Sequence, residues 1–220
     1  MNVYEALYTT RSMRRLKPDP IPYDVQARIL DAAIRAPSPS NTQRWRFLLV
    51  DDPAIKQQMA PIYQENAARL FARYKSAEQA APAGDRRIAE QKKVQASAQH
   101  LADHWAEVPL FLIGFVKDDP SGNSIVPALW SAMLAARAEG VGSTYTTLLG
   151  ASRGDEVLAM LGVPQGEGWT MAACIAMGYP TGKWGIARRN PVDQVAARNR
   201  WDGPLGFSVP EPLWPGDGEG

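Results

Sequence analysis

Apolar side chains recur at helical spacing along several stretches of this chain. Val25, Ile29 and Ala33 lie four positions apart and would share one face of a helix. A longer stripe starts after Asp52-Pro53, a pair suited to begin a helix, and a break is expected near Pro61. The pattern predicts helices at residues 3–8, 23–35, 53–74, 85–105, 126–139 and 155–161, with a surface connection over residues 76–84.

Apolar runs of strand length alternate with these helices. Residues 45–50, 108–116 and 169–177 are predicted strands, and the second run is typical of a strand covered on both faces. Residues 143–149 are expected to be extended or loop. The predicted fold class is α+β. Because helices separate the strands, periodicity alone also allows a parallel α/β sheet.

The chain shows no fixed repeat, low-complexity tract or clear linker, so residues 1–220 are predicted to form a single domain. Residues 203–220 form a tail that is rich in Pro and Gly. This tail is expected to wrap over its own body or a partner subunit, because it carries five apolar residues: Leu205, Phe207, Val209, Leu213 and Trp214.

Composition excludes several classes of protein. Apolar residues make up 45% and charged residues 21%, as in ordinary globular proteins. A net charge of +1 offers no overall field for nucleic acid or an acidic membrane surface, so neither partner is expected. The single Cys174 cannot form an internal disulfide, and the start lacks a secretory apolar stretch, which predicts a cytoplasmic protein with no membrane span.

Two groups of arginines on predicted loops are the first candidate chemistry. Arg11, Arg14 and Arg15 fall within five residues, and Arg188 and Arg189 lie near the other end of the chain. Guanidiniums this close repel one another unless an anion lies among them, and phosphate accepts bidentate hydrogen bonds from arginine. The alternative is a solvated surface run.

Two further segments carry small polar groups. The run from Pro37 to Trp45 could direct hydroxyl, amide and backbone donors at a heteroaromatic ring, or could be an ordinary turn. The run from Gly140 to Leu148 has glycines that allow close approach, but its spacing does not match the dinucleotide-binding fingerprint.

The remaining signals favour structural roles. His100 and His104 lie four apart on a predicted helix but lack further ligands, so no metal site is predicted. Cys174 lies in an apolar run and is predicted to be a buried, inert thiol. Trp130 is predicted to pack in the core, with a cofactor contact as the alternative.

In their order along the chain, these segments resemble the FMN-dependent nitroreductase family. Five motifs covering most of the chain carry the resemblance: Arg11-Ser12-x-Arg14-Arg15 with Pro18-Asp19-Pro20-Ile21-Pro22, Ala36-Pro37-Ser38-x-x-Asn41-x-Gln43-x-Trp45, Leu134-Ala135-Ala136-Arg137-Ala138-x-Gly140-x-Gly142, Met177-Gly178-Tyr179-Pro180, and Arg188-Arg189-x-Pro191-Val192.

The resemblance implies an α+β sandwich with a mainly antiparallel sheet, in an intertwined homodimer with FMN at the subunit interface. In such a site, the first motif would meet the phosphate and pyrimidine side of the flavin, with Arg14 near N1 and the C2 carbonyl. The implied cofactor-binding residues are Arg11, Ser12, Arg14 and Arg15, Pro37, Ser38 and Asn41 from the opposite subunit, Thr146, Thr147 and Leu148 near N5, and Arg188 and Arg189 at the phosphate.

Three positions depart from the family pattern. Thr10 precedes Arg11 where the family commonly has another arginine, Arg44 replaces a proline, and Trp130-Ser131 replaces a Gln-Asn pair on the central helix. The first departure leaves open which arginine takes the phosphate, and the last leaves open whether one polar flavin contact is made.

The implied activity is hydride transfer from NAD(P)H through FMN to nitroaromatic, quinone or related acceptors, with ping-pong kinetics. The chemistry would be carried by the cofactor, so no catalytic side chain is predicted. Residues 59–105 would shape the acceptor site. The alternatives are a specialised flavin enzyme, either a reductive dehalogenase or a flavin-fragmenting benzimidazole synthase, and a non-enzymatic flavin-binding protein.

Overall fold

The computed structural model describes residues 1–79 and 86–209. Its helices are α1 (Val3–Thr9), α2 (Tyr23–Ala33), α3 (Pro53–Gln79), α4 (Arg86–Asp103), α5 (Ile125–Ala138) and α6 (Gly154–Met160). Its strands are β1 (Trp45–Val50), β2 (Leu110–Lys117), β3 (Gly142–Thr146) and β4 (Trp169–Gly178). The end of the predicted tail, residues 210–220, and residues 80–85 of the predicted connection lie outside the described residues.

The chain divides into two compact units. One consists of Met1–Arg11 and the described residues from Trp184 onward, and the other is Ser12–Lys183, which contains all four described strands. In the first unit, the Asn2 side chain caps α1 by accepting a hydrogen bond from the Glu5 amide at 2.9 Å. The single domain and the acceptor-shaping role of residues 59–105 stay predictions.

The sheet of the second unit has the strand order β1-β2-β4-β3, and every neighbouring pair is antiparallel. The α+β class and the antiparallel sheet are therefore confirmed, and the parallel alternative is excluded. Ile113 of β2 lies opposite Leu48 of β1 and Cys174 of β4, and Cys174 lies in turn opposite Thr146 of β3.

Helices cover both faces of this sheet. Along β2, Phe111 and Ile113 pack in a cluster with residues of α3 and α4, whereas Leu110 and Leu112 pack with residues of α2 and α5. Successive side chains of a strand point to opposite faces, so β2 is apolar throughout because both of its faces are buried. Cys174 is buried as predicted, and burial raises the pKa of its thiol.

The predicted interruption of the third helix is wrong. α3 runs unbroken through Pro61 and on through Ser76 to Gln79, so residues 76–79 are helical instead of a surface connection. Pro61 is exposed, where a carbonyl that lacks its amide partner can bond to water, while neighbouring Met59 and Ile62 are buried and hold the helix against the sheet.

The core position predicted for Trp130 is also wrong. Its side chain is 38% exposed, because α5 turns Leu129 and Met133 inward and leaves Val126 and Trp130 on the opposite side. The helix ends at Ala138, shortly before Gly140 as predicted, and the φ of +74° at Gly140 is a left-handed conformation that favours glycine. Among the described helices, none combines the length and apolar character needed to cross a membrane.

Candidate functional site

The first motif lies in extended conformation along the edge of the sheet. Ser12 forms a parallel bridge with Ser143 of β3, and the Met13 amide donates to the Ser143 carbonyl at 3.0 Å. The hydroxyl of Thr144 donates to the Met13 carbonyl at 2.8 Å. Gly142 permits this approach, since a Cβ at that position would lie 2.9 Å from the Cβ of Met13.

The same segment is held further along its backbone. Leu16 forms an antiparallel bridge with Pro180, and the Lys17 amide donates to the Tyr179 carbonyl at 2.8 Å. The Thr181 amide donates to the carbonyl of Arg15 at 3.0 Å. The backbone is therefore fixed on both sides of Arg14, so the Arg14 side chain extends from a Cα atom whose position is defined.

Arg14 is a half-buried cation. Burial lowers the pKa of its guanidinium, and the nearby Tyr63 opposes that shift. Within the described residues, no carboxylate forms an ion pair with Arg14. Taking a charge out of water is costly unless an opposite charge or hydrogen-bond acceptor compensates, so this guanidinium is suited to an anionic or carbonyl-bearing ligand.

The segment that follows β3 is tied to α3 by two neighbouring turns of that helix. Thr146 lies near buried Tyr63 and lowers the pKa of its hydroxyl, and the Leu148 amide donates to the Thr146 hydroxyl at 3.2 Å. The side chain of Asn66 donates to the Leu148 carbonyl at 2.8 Å. Thr147, between these anchors, is exposed.

Tyr63 is itself fixed by aromatic packing. Its ring stacks on Trp105 with 3.8 Å between centroids, and Trp105 stacks on Phe111 of β2 at 4.3 Å. Burial raises the pKa of the Tyr63 hydroxyl, while Thr146 and Arg14 lower it. The ring that carries this hydroxyl is therefore held in place by the two stacked aromatic side chains.

The loop before β1 adopts a strained backbone. Ser40, Asn41 and Gln43 have φ values of +50°, +53° and +47°, a left-handed conformation that is costly for residues other than glycine. The Ser38 hydroxyl accepts from the Gln43 amide at 3.1 Å, and the Asn41 side chain accepts from the Gln43 side chain at 2.9 Å. Such a loop is held in one shape, as a binding loop requires.

The sheet order separates this loop from the Thr146–Leu148 segment. β1 and β3 are the two edge strands, with β2 and β4 between them. Neighbouring strands lie about 4.8 Å apart, so the two edges are separated by about 14 Å. Pro37, Ser38 and Asn41 thus belong to the opposite edge from Thr146.

The other predicted phosphate residues lie in the first unit. Arg11, Arg188 and Arg189 are all exposed. The Ala187 amide donates to the Tyr8 carbonyl at 2.8 Å, and Arg189 donates to the Arg188 carbonyl at 2.8 Å. Arg188 and Arg189 line a cleft of about 570 Å³ together with apolar side chains, which include Leu7, Ile186 and Val192.

The sequence pattern described as "Nitroreductase family" matches residues 7–179. This chain belongs to the nitroreductase family. The match spans Ser12, Arg14 and Arg15 on the extended segment, the strained loop before β1 and the segment after β3.

Known relatives of this nitroreductase-family chain have diverse names. It is 30% identical to the NADH dehydrogenase of Thermus thermophilus over 84% of this chain and 90% of the relative. It is 29% identical to the 5,6-dimethylbenzimidazole synthase of Rhodospirillum rubrum over 77% of this chain and 78% of that protein. Its fold resembles that of an iodotyrosine deiodinase bound to FMN and 3-iodo-L-tyrosine, with a TM-score of 0.70, 22% identity and coverage of 90% of this chain and 99% of the other.

Two residues beside the candidate site were not predicted from the sequence. Asn66 of α3 donates to the Leu148 carbonyl and Tyr63 lies near Thr146, yet both lie within what the periodicity marks as a core stripe. The sequence does contain a sign that Asn66 makes a specific contact. Its amide lies beside Ile62 and Ala67 on an apolar helix face, and a buried amide needs hydrogen-bond partners.

Proposed function

We propose that this chain is an FMN-dependent oxidoreductase that transfers reducing equivalents from NADH or NADPH to an aromatic or quinone acceptor. The observation that carries the proposal is the half-buried Arg14 guanidinium, which extends from a backbone bonded to the residues after β4 and has no carboxylate ion-pair partner among the described residues. A flavin presents carbonyl and ring-nitrogen acceptors that such a cation would compensate.

The candidate residues match FMN in their hydrogen-bonding groups as well as in their charge. Arg14 would face N1 and the C2 carbonyl, and Thr146, Thr147 and Leu148 would line the ring near N5. The hydroxyl of Ser12 and the guanidiniums of Arg11, Arg188 and Arg189 are donors of the type that phosphate accepts. Family membership supports this assignment.

When bound, FMN supplies the hydride chemistry, so the protein has to bind and orient the reactants. Arg14 would stabilise negative charge on the pyrimidine side, and it would do so more strongly because it is half-buried and only partly screened by water. Tyr63 and Asn66 would keep the segment after β3 in position while reactants exchange.

The proposed site needs a second copy of the chain. The strained loop with Pro37, Ser38 and Asn41 lies on the opposite sheet edge from Thr146, about 14 Å away. A homodimer would bring this loop from one copy to the segment after β3 of the other. The exposed Trp130 and Val126 on α5 add an apolar surface that a second copy could cover.

Recovery of the cofactor tests the proposal. The purified protein should be yellow and should release noncovalent FMN on denaturation, identified by chromatography against FMN, FAD and riboflavin standards. Recovery of FAD alone, or of no flavin after reconstitution, would reject the assignment. Parallel double-reciprocal lines for donor and acceptor are expected, because both would use one pocket in turn; intersecting lines with an isolated ternary complex would contradict a single pocket.

A further inference from the structure

A separate cleft of about 280 Å³ lies beside the first motif in the second unit. Its walls come from the extended segment, the end of α4, the short helix Trp105–Glu107 and the residues after β4. Six polar or charged residues line it: Arg14, Arg15, His100, His104, Glu107 and Thr181. Ligand sites commonly start at about 300 Å³, so this cleft is suited to a small group and not to a whole dinucleotide.

Positive groups dominate this cleft. Arg15 is exposed, and within the described residues no carboxylate forms an ion pair with it. One of its Nη atoms lies 3.3 Å from Nδ1 of His100. A guanidinium only donates hydrogen bonds, so Nδ1 of His100 accepts, and the imidazole is neutral with its proton on Nε2.

The second imidazole is held against the first. Nδ1 of His104 lies 2.9 Å from the His100 carbonyl, which only accepts, so Nδ1 of His104 carries a proton. The two rings have centroids 4.0 Å apart. Protonation of His100 therefore adds a positive charge close to Arg15.

The surroundings of His100 hold its imidazole neutral. Burial lowers the pKa of His100 first, and His104 and Arg15 lower it further, while Asp103 and Glu107 raise it. Arg14 also lines the cleft and adds a further positive charge. An anion placed between Arg15 and His100 would relieve this repulsion and raise the His100 pKa.

We propose that this cleft binds an oxyanion group, a carboxylate or a phosphate monoester, of a reactant that approaches the site containing Arg14. Arg15 would provide the charge and the planar pair of N–H donors, and His100 would provide a donor that strengthens on protonation. The inference rests on the proposed function for the identity of the ligand as a reactant. The oxyanion could be a carboxylate of the acceptor or a phosphate of the nicotinamide donor.

Calorimetry of the holoprotein with benzoate and benzamide tests the charge preference. The two probes have nearly the same shape and differ in charge, so wild type should bind benzoate more tightly. Arg15→Gln should weaken benzoate binding by about 10- to 100-fold and leave benzamide unchanged, because a charge-assisted contact is lost. Arg35→Gln is the matched control, since Arg35 is an exposed arginine that pairs with Asp31 outside the cleft.

The pH dependence of benzoate binding provides a second test. Between pH 8 and 6, benzoate affinity should rise as the pH falls, since the bound anion favours protonated His100, and His100→Gln should remove this dependence. Equal binding of benzoate and benzamide by wild type would overturn the proposal. So would an unchanged benzoate affinity in Arg15→Gln.

Kinetics with NADPH and NADH distinguish the two sources of the oxyanion. A drop in kcat/KM of Arg15→Gln for NADPH and not NADH would assign the cleft to the donor's extra phosphate. A drop confined to 4-nitrobenzoate, with 4-nitrobenzamide unaffected, would assign it to the acceptor. If the protein binds benzoate selectively yet holds no flavin, the proposed function fails and the anion site stands. If the protein holds flavin but binds benzoate and benzamide equally, the anion site fails and the proposed function stands.

Discussion

Asn66 donates a hydrogen bond to the Leu148 carbonyl at 2.8 Å, across 82 positions of sequence. Asn66 is also bonded through its own oxygen to the Ser152 hydroxyl at 2.6 Å. A single buried amide on α3 therefore fixes two points of the segment that follows β3, the segment proposed to face N5 of the flavin.

Asn66→Ala should destabilise the protein by about 1–3 kcal/mol, because the Leu148 carbonyl and the Ser152 hydroxyl both lose a partner in a partly buried place. Ser152→Ala is the matched control and should cost about 0.5–1.5 kcal/mol, since the bond to Leu148 remains. Urea unfolding monitored by tryptophan fluorescence gives both values. Equal costs for the two variants would show that the Leu148 contact contributes nothing.

Gly142→Ala should displace the first motif. The new Cβ would lie 2.9 Å from Met13 Cβ and 3.3 Å from the Gly178 carbonyl oxygen, and overpacking of this kind costs about 1–3 kcal/mol. Gly154→Ala is the control, since a Cβ there meets nothing within 4 Å. Thermal unfolding midpoints should fall for the first variant alone. Identical midpoints would mean that the extended segment is not packed against β3 as described.

The sequence predicts some strands more accurately than others. The run Trp45–Val50 predicts β1 with the bounds that the structure has, because five of its six residues are apolar or aromatic and Arg46 is the one exception. For β3 the sequence predicts only an extended or loop segment, since Ser143, Thr144 and Thr146 give no apolar alternation. Pairing with β4 and the bridge to Ser12 make Gly142–Thr146 a strand.

The candidate site was predictable only where a motif lies within a few consecutive residues. The first motif and the loop before β1 are each local in sequence, so the sequence alone marks them as candidates. The hydrogen bond from Asn66 to Leu148 could not be predicted, because the two residues lie 82 positions apart and helical periodicity carries no information on such pairs. The exposure of Trp130 was missed for the same reason, since the face that α5 buries is set by α2 and the sheet.

Arg14→Ala should make the midpoint potential of the bound flavin more negative. The reduced cofactor carries more negative charge than the oxidised one, so loss of a half-buried cation destabilises the reduced form selectively. A loss of about 1–2 kcal/mol corresponds to about 20–40 mV for a two-electron couple. Arg14→Lys should recover most of the shift, and Arg35→Ala should show none. Equilibrium titration against a dye of known potential measures this, and an unchanged potential in Arg14→Ala would remove Arg14 from the flavin.

Arg189→Ala should weaken FMN more than riboflavin. A charge-assisted contact to phosphate is worth about 1.5–3 kcal/mol, and riboflavin has no phosphate to lose. Arg200→Ala, another exposed arginine of the same unit, is the control. Fluorescence titration of each apoprotein with FMN and with riboflavin gives the affinities; four of them, for wild type and Arg189→Ala, decide the comparison. Equal weakening of FMN and riboflavin would exclude Arg189 from the phosphate site.

Anaerobic mixing of the FMN-loaded protein with NADH or NADPH tests the proposed oxidoreductase function most directly. The bound flavin in its oxidised form should absorb at about 450 nm, and this absorbance should bleach within turnover time with at least one donor. Later addition of a quinone or nitroaromatic acceptor should restore the band and consume one acceptor equivalent per flavin. Flavin that stays oxidised with both donors, although dithionite reduces it, would contradict the oxidoreductase assignment and leave a flavin-binding protein.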